Sequence, residues 1–200
     1  MGVLGHSEGG TIALLLAAEK KVDFVVSLAG MAVSGKETLL WQNRLALDAA
    51  GIPAETLDVY CQALGDIFDA KIAGEPMPSA SQYDLPAALV QNLAAAVTQL
   101  QTPFLSHFLT VDTRPLLGRI SCPVLALNGA LDRQVDPESN LGALRSGLPN
   151  HPKNRVEAID GVNHLFQHCQ TGLSNEYRTI EETIAPEVLE IIVQWVTALQ

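Results

Sequence analysis

Gly5-His6-Ser7-Glu8-Gly9, followed by Gly10, is the stretch on which the reading of the whole chain turns. It has the form G-x-S-x-G, the pattern of a nucleophile elbow, in which a sharp strand-to-helix turn holds one serine proud of a sheet. Each residue type has a physical reason. The serine occupies a strained backbone conformation, and the glycines two residues to either side let strand and helix pass closely. The turn also brings N–H groups of the new helix near the serine, where an oxyanion can be stabilised. The flanks supply the context the motif needs. Val3-Leu4 reads as the end of a strand, and Thr11 to Lys20 is an apolar stretch of helix formers with no breaker. The competing reading is a glycine-containing turn of no chemical meaning.

Working outward, Val22 to Gly30 is mostly apolar on both faces, as in a buried strand of a parallel sheet. Strand, helix and strand within about thirty residues make one βαβ unit. From Ser34 to about Leu109 the character changes. Helix-like segments run from Lys36 to about Ala50, from Pro53 to Ile72 and from Leu85 to Val97, with Leu57, Tyr60, Cys61 and Leu64 on one helical face. No strand pattern interrupts them, and a single crossover rarely needs so many residues. The expectation is an α/β core formed by residues 1–33 and 110–200, with residues 34–109 as a helical cap insertion; ordinary crossover helices are the alternative. Pro103 to Leu109 brings the chain back. Val124 to Gly129 is then a second buried strand, Pro137 to Leu148 a helix, and Arg155 to Ile159 an alternating strand. In the closing segment, Pro186 to Leu199, an apolar stripe of Val188, Leu189, Ile192, Trp195, Val196 and Leu199 opposes Glu187, Glu190 and Gln194.

Bulk properties narrow the function classes. Two hundred residues with 48% hydrophobic content suit one domain with a sizeable core. A formal net charge of −10 argues against nucleic acid or an anionic membrane surface as partner. Charged or polar residues interrupt every apolar run before it reaches a membrane span. Cys61, Cys122 and Cys169 are widely spaced, and no C-x-x-C suggests a zinc site or dithiol redox motif. Their odd count fits a reducing compartment or unpaired thiols better than a disulfide framework. Met1-Gly2-Val3 leaves no room for a leader before the elbow, so a chain complete as it stands is expected in the cytoplasm.

A serine hydroxyl needs a base, usually histidine, oriented by a carboxylate. On a sheet of this kind these groups belong in loops at the carboxyl ends of strands. Two loops qualify: Gly129 to Pro137, which carries Asp132, and Asp160 to Phe166, which carries His164. Asp136 and Glu138 compete with Asp132, although Asp136 beside Pro137 reads as a helix cap. His6 lies inside the elbow, where its side chain is expected to point away from that of Ser7. His107 reads as a packed histidine on an apolar segment, and His151 as part of a polar turn. His168, four residues after His164, mimics a metal pair without a further ligand spaced to match.

The order Ser7, Asp132, His164 belongs to the α/β-hydrolases, and the chain resembles that superfamily from its elbow to its C-terminus. More narrowly it resembles bacterial serine carboxylesterases. The pieces that carry the likeness are Gly5 to Gly10, Ser27-Leu28-Ala29-Gly30, Cys122 to Gly129, Asp132-Arg133-Gln134-Val135, Gly161 to Phe166, and Ile180 to Pro186. The resemblance implies a mostly parallel sheet with flanking helices, Ser7 as nucleophile, Asp132 as acid, His164 as base, and no cofactor or metal. It also implies a small-molecule ester substrate, and the mixed apolar cap suits a small or medium acyl group. In that family several strands precede the elbow, and a loop after an early strand supplies one oxyanion N–H. Neither lies within these residues, so the expected architecture is the C-terminal half of the fold. The remaining donor is the backbone N–H of Glu8, and loss of one donor typically costs about two to three orders of magnitude in rate. The elbow strand becomes an exposed edge that can pair with a second copy as a homodimer. Two other readings stand beside the esterase: a serine peptidase of the prolyl-oligopeptidase type, and a catalytically silent half-fold or interaction module.

Overall fold

The computed structural model describes residues 1–199 and resolves the chain into two compact units, Ser34–Val111 and the residues to either side of it. The flanking residues build a four-stranded sheet from β1 (Gly2–His6), β2 (Phe24–Leu28), β3 (Val124–Gly129) and β4 (Arg155–Ile159). Strand order follows the sequence, β1-β2-β3-β4, and every pairing is parallel. Gly5 lies opposite Ser27, and Ser27 opposite Ala126, which lies opposite Val156. Parallel pairing sends every connection across a face, and all four carboxyl ends emerge along one edge.

Helices α1 (Glu8–Ala18), α6 (Arg114–Leu117), α7 (Pro137–Gly147) and α8 (Pro186–Thr197) flank this sheet. The inner strands divide their side chains between two cores. Val25, Val124 and Ala126 pack with Ala13, Leu14, Leu141 and Leu144 of α1 and α7. Val26, Leu28, Leu125 and Leu127 pack with Val188 and Trp195 of α8. The two-residue period thus fills both faces at once, and that is why these strands read as continuous apolar runs. The stripe on α8 keeps Val188, Ile192, Trp195, Val196 and Leu199 in the core as expected and differs at one position. Leu189 is 48% exposed and Val193 63%, whereas Ile191 packs inward beside Ile192. With Val188 and Trp195 as anchors, position 191 falls on the buried arc and position 189 off it.

The regular elements of the second unit include α2 (Gly35–Ala49), α3 (Ala54–Ala73), α4 (Ala87–Gln99) and the short α5 (Pro103–Phe108), with a long loop between α3 and α4. Ser34 and Glu37 form a reciprocal capping box at the start of α2, and Gly74 closes α3 in the left-handed conformation at φ 70°. Tyr60, Leu64, Ile67, Phe68, Leu93 and Leu100 make its own core. The Tyr60 hydroxyl donates to Asn92 Oδ1 at 2.6 Å, and burial pushes its phenol up to about 12. The segment Pro103 to Leu109 that brings the chain back winds into α5, because Thr102 caps it and Pro103 fits its first turn. His107 on this helix is exposed, not packed. Among the described residues no helix is long and apolar enough to cross a membrane.

The glycines of the elbow have different jobs. A Cβ on Gly5 would lie 2.0 Å from the carbonyl oxygen of Gly9, and one on Gly10 would lie 2.9 Å from the Cα of Gly30. A Cβ on Gly9 would meet nothing within 4 Å. The close approach therefore needs Gly5 and Gly10, and Gly9 contributes its backbone alone. Gly5→Ala is expected to cost about 3 kcal/mol or more, since backbone must move to admit the methyl group. Gly9→Ala is expected to change stability by less than about 1 kcal/mol, because helix propensity alone is at stake. Urea unfolding of the two variants reads the contrast, and equal midpoints would contradict it.

Candidate active site

The elbow is strained as its sequence requires. Ser7 has φ 55° and ψ −122°, a conformation that costs a non-glycine residue about 1–3 kcal/mol. Three backbone bonds hold it there. The Ser7 N–H donates to Leu28 O at 2.8 Å, and Gly10 and Thr11 donate to Ser7 O at 2.9 and 3.2 Å. The first bond extends the β1–β2 ladder, and the others begin α1. Glu8 N–H lies in the first turn of α1, where a helix supplies no backbone acceptor and a developing negative charge is favoured.

The loop after β3 carries Asp132 and is folded around its carboxylate. Oδ1 accepts from Gln134 N–H at 2.7 Å and Val135 N–H at 2.9 Å, and Asn128 Nδ2 donates to Val135 O at 3.1 Å. Asp132 is buried. Asp136 faces elsewhere, capping α7 by accepting from Glu138 and Ser139 N–H.

The loop after β4 carries His164 and crosses the end of β3. A Cβ on Gly129 would lie 2.4 Å from the carbonyl oxygens of both Val162 and Asn163, so only glycine admits this crossing. Leu131 N–H donates to Val162 O at 3.0 Å, which joins the two loops. Asn163, fully buried, accepts from Leu165 and Gln167 N–H on Oδ1 and donates to Gln167 Oε1. Gln167 Nε2 in turn donates to Glu182 O at 2.8 Å. This wrapping holds Phe166 at φ 59°, a second strained position, with its carbonyl accepting from Ala185 N–H. Buried polar side chains so fully paired define one loop geometry.

The two loops and the elbow bring the three expected side chains into one hydrogen-bonded row. His164 Nδ1 lies 2.8 Å from Asp132 Oδ2, and His164 Nε2 lies 3.1 Å from Ser7 Oγ. The imidazole is buried between them. A row of this kind can move a proton from the serine hydroxyl to the imidazole, with the carboxylate fixing the ring. His107 and His151 take no part in it. His6 is closer than its place in the elbow suggests: its Nε2 lies 2.8 Å from His164 O, and its ring centroid lies 4.8 Å from that of His164. Sequence reading missed His6, Asn163 and Gln167 as parts of the site. A buried asparagine beside a turn has a weak local signature, and the contact of His6 has none.

Beside His6 an apolar groove of about 530 Å³ is lined by Leu4, Leu28, Leu165, Phe166 and Ile184, among others. A cavity of about 260 Å³ in the helical unit, lined by Asn43, Leu64, Phe68 and Asn92 among others, contains none of the three side chains of the row. Among the described residues no group of three or more His, Cys, Asp or Glu is arranged to hold a metal ion.

Comparison with known proteins bears on the fold. The family model described as alpha/beta hydrolase fold matches residues 1–168. No curated protein matches the chain. Among solved structures it is similar to BpoC of Mycobacterium tuberculosis, provisionally assigned as a non-heme bromoperoxidase. The identity is 18%, the TM-score is 0.51, and the match covers 100% of this chain and 67% of that one. It is also similar to a proline iminopeptidase of Mycobacterium smegmatis, at 16% identity and a TM-score of 0.48, over 100% of this chain and 67% of that one. A further Mycobacterium tuberculosis protein matches at 19% identity and a TM-score of 0.49, over 98% of this chain and 65% of that one. The chain thus spans about two thirds of the length of these structures.

His168, at the far end of the histidine loop, is exposed and makes an ionic contact of its own. Its backbone N–H donates to Glu182 Oε2 at 2.7 Å; its ring nitrogens lie 3.1 Å from Glu182 Oε2 and 2.9 Å from Glu187 Oε1. The hydrogen bond to Glu182 raises the His168 pKa above its ordinary value, with both carboxylates adding to the effect. A raised folded-state pKa stabilises the fold fully below the unfolded value of about 6.5 and ceases to do so as pH rises through the folded value. Thermal melts of wild type and His168→Gln are therefore expected to differ most near pH 6 and to converge as the medium becomes alkaline. The exposed setting keeps the effect small. A difference that grows with rising pH would contradict the assignment.

Proposed function

The chain belongs to the alpha/beta hydrolase fold family, and on that footing we propose that it is a serine hydrolase cleaving carboxylic esters through an acyl-enzyme. The observation that supports this most directly is the row Ser7 Oγ, His164 Nε2, His164 Nδ1, Asp132 Oδ2, with spacings of 3.1 and 2.8 Å across its two gaps. Asp132 accepts from Nδ1–H, which leaves Nε2 with its lone pair toward the serine. Ser7 Oγ attacks the acyl carbon as its proton passes to Nε2. The oxyanion that forms accepts from Glu8 N–H, aided by the positive end of α1. Collapse expels the alcohol, which takes the proton from Nε2. A water molecule then attacks the acyl-enzyme, giving its proton to the same nitrogen, and Ser7 is restored as the acid departs.

Hydrolysis of a short-chain p-nitrophenyl ester tests the reading. Ser7→Ala is expected to reduce kcat/KM by at least about a thousandfold, and Asp132→Asn by a similar factor, since it disturbs the tautomer of His164. A fluorophosphonate probe is expected to label wild type at Ser7 and to leave Ser7→Ala unlabelled. An unchanged rate in Ser7→Ala would remove the serine from the mechanism. Faster turnover of a peptide than of the matched ester would assign the row to a peptidase. A folded wild-type chain that neither labels nor hydrolyses would favour the silent module.

The sheet edge supports a partner as well. Among the described residues β1 pairs with β2 alone, and Leu4 on it is 54% exposed. The opposite edge, β4, carries the ion pair of Arg155 with Glu157, whereas β1 from Gly2 to His6 carries no acidic, lysine or arginine side chain. An uncharged edge is the better template for strand addition, and a second copy paired through β1 is the assembly we propose. Sedimentation at micromolar concentration is expected to give a dimer, which Leu4→Lys dissociates. A monomeric wild type would refute this.

A further inference from the structure

We propose that His6 is a positioning residue for this site: its side chain ties the backbone of His164 to the elbow and so keeps the imidazole over Ser7. The inference rests on the serine-hydrolase reading and adds a group to it. Residues 6 and 7 are neighbours in sequence, but the elbow turns between them, so their side chains diverge. Ser7 Oγ meets the ring of His164 at 3.1 Å, while His6 Nε2 meets the carbonyl oxygen of the same residue at 2.8 Å. Two consecutive residues thus hold one histidine at two points. A carbonyl only accepts, so the bond places a hydrogen on His6 Nε2.

The other bonds of the histidine loop run in other directions. Asn163 bonds Leu165 and Gln167 within the loop, Val162 O joins it to the loop after β3, and Phe166 O joins it to Ala185. The His6 bond carries the tie to the elbow strand. The ring also packs with its neighbours, tilted 52° to the ring of His164 and edge-on to Phe166 at a centroid distance of 6.2 Å. Phe166 is the strained residue of that loop, so His6 abuts the point where the loop most needs support.

The reaction gives this tie a distinct task. Once Ser7 Oγ is acylated it no longer has a proton to share, and the Ser7–His164 hydrogen bond is lost. The His6 bond reaches the backbone, so it persists through acylation and deacylation. It holds Nε2 in register for the water that follows, where a displacement of about 1 Å is worth about a hundredfold in rate.

Two variants separate the donor from the ring. His6→Gln retains an N–H donor of similar reach, and His6→Phe retains an aromatic ring without one. On the p-nitrophenyl ester, His6→Phe is expected to lower kcat about 10- to 100-fold with KM within about twofold of wild type. His6→Gln is expected to stay within about threefold of wild type on both. His6→Phe as fast as wild type, or His6→Gln as slow as His6→Phe, would overturn the proposal. Proton NMR of the His164 Nδ1–H shared with Asp132 supplies a readout that needs no turnover. Wild type and His6→Gln are expected to show one sharp downfield signal, and His6→Phe an exchange-broadened one; an equally sharp signal in His6→Phe counts against the tie. A wild type that fails to hydrolyse or label while the NMR contrast holds would fault the esterase reading and leave the positioning role standing.

Discussion

One serine held at positive φ between a strand and a helix is the constraint on which the sheet unit depends. Ser7 adopts φ 55° and ψ −122° because backbone groups on both sides take up its own N–H and C=O, with the N–H on Leu28 and the C=O capping α1. The strain of about 1–3 kcal/mol is local. The steric room that permits it is not. Gly5 must lack a Cβ because the backbone of Gly9 passes there, and Gly10 because Gly30 does. The turn therefore requires β1, α1 and the end of β2 to be assembled together.

The same crowding recurs where β3 ends. Gly129 closes β3 beneath the backbone of Val162 and Asn163, and the loop above it is wound tightly enough to hold Phe166 at positive φ. Each loop is organised by one buried polar side chain bonding to backbone N–H groups: Asp132 in the loop after β3, Asn163 in the loop after β4. The segment after β2 follows the same scheme, with Thr11 and Asn140 accepting from the N–H groups of Met31, Ala32 and Val33. Unpaired, such groups would each cost about 1–3 kcal/mol, so the loops that carry the site have little conformational choice. Rigid loops on a parallel sheet are what a row of hydrogen-bonded side chains needs to keep its spacing.

Charge has a smaller part. The ion pairs Lys21–Glu19, Arg155–Glu157 and His168–Glu182 of the sheet unit are open to solvent, where each contributes little. The exception is the contact of His164 with Asp132, which is buried and directional. Its value lies in orientation. The bond fixes which ring nitrogen faces the serine, a matter of geometry more than of net stability.

Much of this was legible in the amino-acid sequence because it is encoded locally. The apolar runs of β2 and β3, the breaker-free stretch of α1, and the turn chemistry around Ser7 are patterns of neighbours, and they placed the strands and most helices. The resemblance to a known family rests on those same short stretches. Short-range patterning also misled. It put Leu189 on the buried stripe of α8, packed His107 inside, and credited Gly9 with a steric role that belongs to Gly5 and Gly10. For α8 the sheet it packs on decides, and for Gly10 the backbone of Gly30 does, both elsewhere in the chain. The row of side chains is the clearest example, since Ser7 and His164 stand 157 positions apart and Asp132 and His164 stand 32. Sequence named those residues by type and order. Their distances, and the grip of His6 on a carbonyl 158 positions away, exist only once four parallel strands bring their carboxyl ends to one edge.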